Sequence, residues 1–263
     1  MFGDNRGGAI TGTFDRDRLA FVPDRPQLST GPTDRRLYAL EYGAFGYPRT
    51  YEAADGRRII WGWLGFGIEP FATASWWGLH SAPRVLTAAT PDDPTTALLM
   101  NPVAELTHLR QARLLSLTAM PINSTDTVLP GVGRHFDAVV TFHGLKKALQ
   151  NRTLRPNQNL CFGVLGVPLC WAPEPPPPPP GRRPVPVGWI AGNAGGPMAL
   201  RRNQDAVGLR VLVDGMVMES FWDGGRARTS SPAYGVAAPT VSSGLAGISV
   251  DVSVWQMGSA WLP

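Results

Sequence analysis

The chain has 263 residues, 43% of them hydrophobic and only 17% charged, with 30 glycines and 26 prolines. That size and apolar content exclude a disordered chain and allow one large domain or two modest ones, and the density of Gly and Pro between short β-rich runs points to an all-β, turn-dense protein. The net charge is +4 with a pI of about 9.4, but the arginines are scattered in pairs such as Arg35-Arg36, Arg57-Arg58 and Arg201-Arg202, and Lys146 and Lys147 are the only lysines; this argues against a nucleic-acid partner, which needs its basic residues on one face or in one run.

The opening stretch Met1 to Gly8 is polar and holds no secretion-signal core. Strands are expected at Ala9 to Phe14, Leu19 to Val22, Arg36 to Glu41, Phe45 to Tyr51 and Arg57 to Leu64. Asp55-Gly56 between the last two is a two-residue hairpin signal, because both residues tolerate positive φ. Pro83 to Leu86 and Ala97 to Met100 continue the series, and Pro102 to Arg110 reads as a helical turn with Leu106 and Leu109 on one side. Regular hairpins of this kind suit a propeller blade.

Residues 111–134 carry few regular signals and contain Pro130-Gly131-Val132-Gly133, which reads as a domain joint. Strand character returns at His135 to Thr141, and Cys161 to Leu169 is a continuous apolar run that reads as one buried strand. Cys161 and Cys170, the only cysteines, pair in an oxidising compartment and stay free in a reducing one, and their number does not choose between the two. Asn123-Ser124-Thr125 and Asn151-Arg152-Thr153 fit the glycosylation sequon. Pro175 to Pro180 is a run of six prolines, extended and unable to join a sheet; it is either an exposed inserted loop or a flaw in the coding sequence. Leu209 to Trp222 alternates through a hairpin turned by Asp214-Gly215, and Ile248 to Trp255 alternates again to close the last sheet. No apolar run approaches the roughly 20 residues of a membrane span.

Three segments together carry a family resemblance. Tyr42-Gly43-Ala44-Phe45, Thr50-Tyr51 and Gly56-Arg57-Arg58-Ile59-Ile60-Trp61-Gly62-Trp63 form the first. Trp77-Gly78, Pro83-Arg84, Pro102-Val103-Ala104-Glu105-Leu106 and Leu109-Arg110 form the second. Leu209 to Asp214, Glu219-Ser220-Phe221 and Gly224-Gly225-Arg226, with Trp255-Gln256-Met257 and Ser259-Ala260 at the end, form the third. In order and spacing they resemble the later half of glycoside hydrolase family 32, the invertase, β-fructofuranosidase and fructanase family. The resemblance implies the last blades of a five-bladed β-propeller followed by a C-terminal β-sandwich. It divides the chain into propeller at 1–115, a joint at 116–134 and a sandwich at 135–263 with a Pro-rich insertion at 172–187. Family members are often secreted or vacuolar.

The family hydrolyses fructosyl bonds of sucrose or fructans with retention, using two carboxylates about 5 Å apart. Its nucleophile sits in Asn-Asp-Pro-Asn-Gly, its stabiliser in Arg-Asp-Pro and its acid/base in Glu-Cys, and this sequence contains none of the three. Met100-Asn101-Pro102 lacks the aspartate, and Arg16-Asp17 is followed by Arg18. The chain alone is therefore expected to be inactive, an incomplete form whose N-terminal half lies in the same transcript or on a separate chain. The other reading is a non-catalytic carbohydrate-binding or interaction protein.

Trp61 and Trp63, two apart on a strand, face the same side. In the resembled family this strand lies near the sugar pocket, so Trp63, Trp61 and Tyr47 are the candidate substrate-binding residues, against core packing as the alternative. The family's tyrosine after the phenylalanine is replaced here by Gly46, with Tyr47 one residue on. Asp214, Glu219 and Arg226 are taken as a structural motif of the sandwich hairpin, with Glu219 paired in a charge network near Arg226 or Arg228. Glu105 is expected to cap or pair locally. His80, His108, His135 and His143 share no ligand spacing, so no metal is expected, and no sequence feature calls for a cofactor.

Overall fold

Alternating apolar residues and glycines at positive φ set the strands and their turns. The computed structural model describes residues 8–9, 11–23, 38–65, 78–89, 98–149, 160–164, 167–173, 187–191, 196–201, 204–232 and 238–260. The six-proline run and the sequon at 151–153 lie outside them.

The first part begins with two small pairings. Strand β1 (Gly8–Ala9) pairs with β4 (Tyr38–Ala39), and β2 (Gly12–Asp15) with β3 (Ala20–Pro23). The Asp15 carboxylate accepts from the Asp17 and Arg18 N–H groups at 3.0 Å and turns the second hairpin. An antiparallel blade follows. Strands β5 (Phe45–Glu52), β6 (Arg58–Leu64), β8 (Arg84–Ala88) and β9 (Leu98–Pro102) pair in sequence, and β7 (Leu79–His80) adds to β6. Gly56, at φ 82°, makes the expected β5–β6 turn. Phe45, Ile60, Leu64 and Met100 form the blade's buried core with Leu40 and with Val217 of the second part. The expected helical turn is a 3-10 helix, Ala104–Leu109.

The second part is two six-stranded antiparallel sheets. One has the order β10 (Arg110–Pro121), β21 (Ser249–Met257), β12 (His135–His143), β17 (Ala206–Asp214), β18 (Val217–Trp222), β19 (Ala227–Pro232). The other runs β11 (Thr127–Val128), β20 (Thr240–Ser243), β13 (Leu160–Val164), β14 (Val167–Pro173), β15 (Val187–Ala191), β16 (Gly196–Ala199). A short helix, Leu145–Leu149, follows β12. Period-two alternation turns Phe136, Ala138, Val140 and Phe142 inward, beside Val207, Leu209, Val211 and Val213 and beside Val250, Val252 and Val254. They meet Leu160, Phe162, Leu169, Trp171, Met198 and Val241 of the other sheet. Each such Val, Leu, Met or Phe side chain contributes roughly 1.5–3 kcal/mol when fully buried.

Two expectations need correction. Residues 111–134, read as an irregular joint, hold most of the twelve-residue strand β10. Its register slips at three places, Arg110/Arg113, Arg113/Leu115 and Leu117/Met120, so the two-residue period that signals a strand is broken. The apolar run at 161–169 is not one strand but most of the β13–β14 hairpin. Its register sets Cys161 opposite Cys170, and the two are joined in a disulfide with Cα atoms 4.2 Å apart.

Candidate functional site

Three places in the fold hold the side chains singled out from the sequence. The first is the outer face of the β5–β6 hairpin. Ile60, Gly62 and Leu64 turn into the blade, while Trp61 and Trp63 stay half-buried on the opposite face. Tyr47 lies 65% exposed, in a bulge where the register slips between Gly46 and Arg49, and its φ is 47°. The extra residue brings the Tyr47 ring to 5.9 Å from Trp63 at a 59° tilt. The displacement of tyrosine from position 46 to 47 is thus absorbed by the bulge. Tyr51, which the sequence reading did not select, stands 5.2 Å from Trp61. Its alternation with Tyr47 along the strand, four residues apart, was the available signal. Gly65 and Gly78 leave room for the Trp63 indole, since a Cβ at Gly78 would sit 2.1 Å from its Nε1. Four rings therefore form one wall.

The second is the seam between blade and sandwich. Residues 40–44 run along β19: the Tyr42 N–H donates to the Arg228 carbonyl and the Ala44 N–H to the Ser230 carbonyl, both at 3.0 Å. This draws Glu41 onto a fully buried arginine, Arg84 of β8. Arg84 Nη1 donates to Glu41 Oε2 and Nη2 to Glu219 Oε2, each at 2.5 Å, and Nη2 also reaches Ser230 Oγ at 3.0 Å. The Ala82 N–H donates to the other Glu219 oxygen at 2.7 Å. The guanidinium lies 4.5 Å from the centre of the Phe45 ring and 5.0 Å from that of Phe221. Burial pushes the Glu219 carboxyl up, against the pull of Arg84 and the Ala82 N–H. Burial opposes the charge on Arg84, but Glu41 and Glu219 outweigh it and hold its pKa above the ordinary value. Arg228, buried nearby and donating to the Leu40, Leu98 and Gly225 carbonyls at 2.8 Å, is lowered to about 10, mainly by burial. Two arginines thus face two glutamates.

The motif residues Asp214, Glu219 and Arg226 each meet a different partner. The Asp214 side chain is 92% exposed and pairs with His135 Nδ1 at 2.8 Å. Glu219 finds its cation in Arg84 of the blade; the expected network near Arg226 or Arg228 is centred there, with Arg228 beside it, because strand β18 turns Glu219 outward from the sandwich toward the blade. Arg226 pairs with Asp223 at 2.8 Å. Arg84 and Glu41 were not among the candidate site residues, although Pro83-Arg84 belongs to the second resemblance segment and Arg84 heads the apolar stretch Arg84-Val85-Leu86.

The third place is a cleft of about 710 Å³ between the parts, lined by Leu79, His80 and Leu106 from one side and by His135, Leu212 and Met257 from the other. At its blade side Glu105 is held by Arg57, at 2.5 and 3.1 Å. That hydrogen bond keeps its carboxyl at about 2, against an ordinary 4.5. The depressed value means that the pair contributes fully above about pH 4.5 and is lost as pH falls through about 2. The urea midpoint of Glu105→Gln should therefore be flatter across this acid range than that of the parent; equal slopes would show that the pair does not persist in solution. Among the described residues no group of three His, Cys, Asp or Glu is arranged to hold a metal ion.

Comparison with known proteins places these features in a family context. Residues 3–102 match the model of the glycosyl hydrolases family 32 N-terminal domain. The chain is 26% identical to the acid β-fructofuranosidase of Phaseolus vulgaris over 95% of its own length and 44% of that protein. It is 37% identical to the fructan 1-exohydrolase of Hordeum vulgare over 38% of its length and 16% of that protein. In structure it is similar to fructan 1-exohydrolase IIa from Cichorium intybus, with a TM-score of 0.73 and 18% identity over 98% of this chain and 56% of that one. The exo-inulinase of Aspergillus awamori gives 0.71 and 15%, covering 96% and 50%. The chain thus spans about half the length of these solved structures and less than half of the bean enzyme. The architecture is that of late blades of a β-propeller followed by a β-sandwich.

Proposed function

This chain is a member of glycoside hydrolase family 32, and from that premise we infer that it carries the late-propeller and sandwich portion of a β-fructofuranosidase-type hydrolase acting on sucrose or fructans. Its relatives include acid β-fructofuranosidases and fructan 1-exohydrolases. The observation that carries the reading is the four-ring wall of Tyr47, Trp63, Tyr51 and Trp61. Half-exposed aromatic faces stack on the apolar faces of sugar rings while leaving hydroxyls to polar partners. In this reading the propeller portion ends near residue 115, close to where the 3-10 helix Ala104–Leu109 hands over to β10.

In this reading the chain alone does not hydrolyse. Retaining chemistry needs two reachable carboxylates about 5 Å apart. Glu219 is buried under Arg84, and Asp214 stands on an exposed turn beside His135. The nucleophile, stabiliser and acid/base come from sequence in the same transcript or from a second chain.

Incubated with sucrose or 1-kestose, the chain should release no fructose above the blank. Titration with 1-kestose should quench tryptophan fluorescence, and Trp63→Ala should weaken that binding up to about tenfold, since an aromatic contact is worth at most about 1.5 kcal/mol beyond its area. Fructose release would sink the inactive reading; binding unchanged by Trp63→Ala would assign the indole to packing. Binding retained without any further sequence, and never accompanied by turnover, favours the second reading, a non-catalytic carbohydrate-binding protein. The exposed wall, which needs no carboxylate to hold a sugar, is the observation on its side.

A further inference from the structure

We propose that Asn123 is an N-glycosylation site. Asn123-Ser124-Thr125 satisfies the acceptor sequon, but three residues alone carry little weight, and the fold supplies the rest. Residues 123–126 are exposed, in the turn between β10 and β11. The Asn123 side-chain oxygen accepts from the Thr125 N–H at 2.8 Å. This Asx turn orients the carboxamide, turning its nitrogen away from the bond that its oxygen makes. The Ser243 N–H donates to the Asn123 carbonyl at 2.7 Å, and the neighbouring Ile122 is buried, so the backbone is anchored while the side chain meets solvent.

The second, independent observation is the Cys161–Cys170 disulfide. Such bonds form and persist in the secretory and extracellular space and are rare where thiols are kept reduced. That space is also where asparagine glycosylation occurs. The sequon sits in the β10–β11 turn and the disulfide in the β13–β14 hairpin, and the disulfide marks the compartment in which a sequon is used.

The donor is a lipid-diphosphate-linked oligosaccharide. The bond from its anomeric carbon to the phosphate oxygen breaks and a bond from that carbon to Asn123 Nδ2 forms. The amide gives up one proton, and the lipid diphosphate leaves with the bonding pair. The site lies away from the cleft. Strand β10 begins at Arg110, opposite the cleft residue Met257, and ends at Pro121, opposite Ser249. The partner strand covers that span in eight steps, Ser249 to Met257, and at about 3.3 Å per residue the two ends lie roughly 26 Å apart. A glycan on Asn123 covers the far end of the sandwich and leaves the cleft open.

The test is to secrete the full chain from a eukaryotic host behind a cleavable leader and map it by peptide mass spectrometry, with and without peptide N-glycosidase. The expected result is a glycan on Asn123, lost in N123Q and in T125A and kept in N151Q. Thr125→Ala removes the hydroxyl and the γ-methyl but retains the N–H that closes the turn, so loss of the glycan there is not loss of the local fold. A secreted chain with Cys161 and Cys170 joined and Asn123 bare would overturn the site. Free thiols at Cys161 and Cys170 in the secreted chain would remove the disulfide on which the proposal also rests and would overturn it. Neither outcome depends on sugar binding or turnover.

Discussion

Arg84→Ala should lower the stability of the chain by about 3–5 kcal/mol, the range measured when one partner of a buried ion pair is removed. The reason lies in what remains. Glu41 and Glu219 are 1% and 6% exposed, and without Arg84 both carboxylates stay in the seam with no cation between them. Arg84→Lys should recover only part of the loss, because one ammonium cannot donate to two carboxylates and a serine in the plane that the guanidinium occupies. The deficit should also depend on pH. Burial raises the Glu219 pKa even with Arg84 present, and removing the cation raises it further. A carboxyl whose folded value exceeds its unfolded value holds more protons when folded, so stability falls as pH rises between the two. The deficit of Arg84→Ala should therefore shrink toward acid pH.

Urea unfolding at several pH values measures this. The triple variant E41Q/R84M/E219Q separates charge from packing: a network replaced as a whole loses far less than one partner alone. Arg228 should not oppose that recovery, because it loses the repulsion of Arg84 together with the weaker attraction of Glu41. A parent-like Arg84→Ala would mean that water reaches the seam, and the blade and sandwich would then be joined by the backbone bonds of Tyr42, Ala44 and Met100 and by Arg228.

The seam also shows where sequence reading stops. Most strands were legible because their side chains alternate between a buried and an exposed face, as in Ala206–Asp214 and Ser249–Met257. The Asp55-Gly56 turn was legible because positive φ has a short list of residues. Strand β10 was hidden because it is an edge strand with three register slips and mostly exposed side chains. The Cys161–Cys170 hairpin was hidden because no polar residue interrupts its apolar run. The aromatic wall was half legible: period two placed Trp61 and Trp63 together, but only the bulge brings Tyr47 to Trp63. The Arg84 network left no local trace. Its carboxylates lie 43 and 135 residues away, and a pairing at that range depends on tertiary packing rather than on any spacing in the chain.

The glycine pair after β18 tests the same seam by sterics instead of charge. Gly224 and Gly225 both sit at positive φ, 72° and 78°, so alanine at either carries a left-handed backbone cost of about 1–2 kcal/mol. Their surroundings differ. A Cβ at Gly224 meets nothing within 4 Å, whereas one at Gly225 would lie 2.3 Å from the Met100 carbonyl oxygen. That oxygen belongs to blade strand β9, whose Met100 N–H donates to the Gly225 carbonyl at 3.1 Å. Neither backbone can yield without breaking the bond, and overpacking of this kind costs a further 1–3 kcal/mol or so. Gly225→Ala should therefore destabilise by about 3 kcal/mol or more in urea and Gly224→Ala by about half as much. Hydrogen exchange should locate the difference, with the Met100 amide losing protection in the first variant and keeping it in the second. Equal effects would mean that φ alone sets the requirement at both positions and that blade and sandwich part there without cost. A clear gap would show that the second glycine of Gly224-Gly225-Arg226 is required because the blade backbone occupies the space where any other side chain would begin.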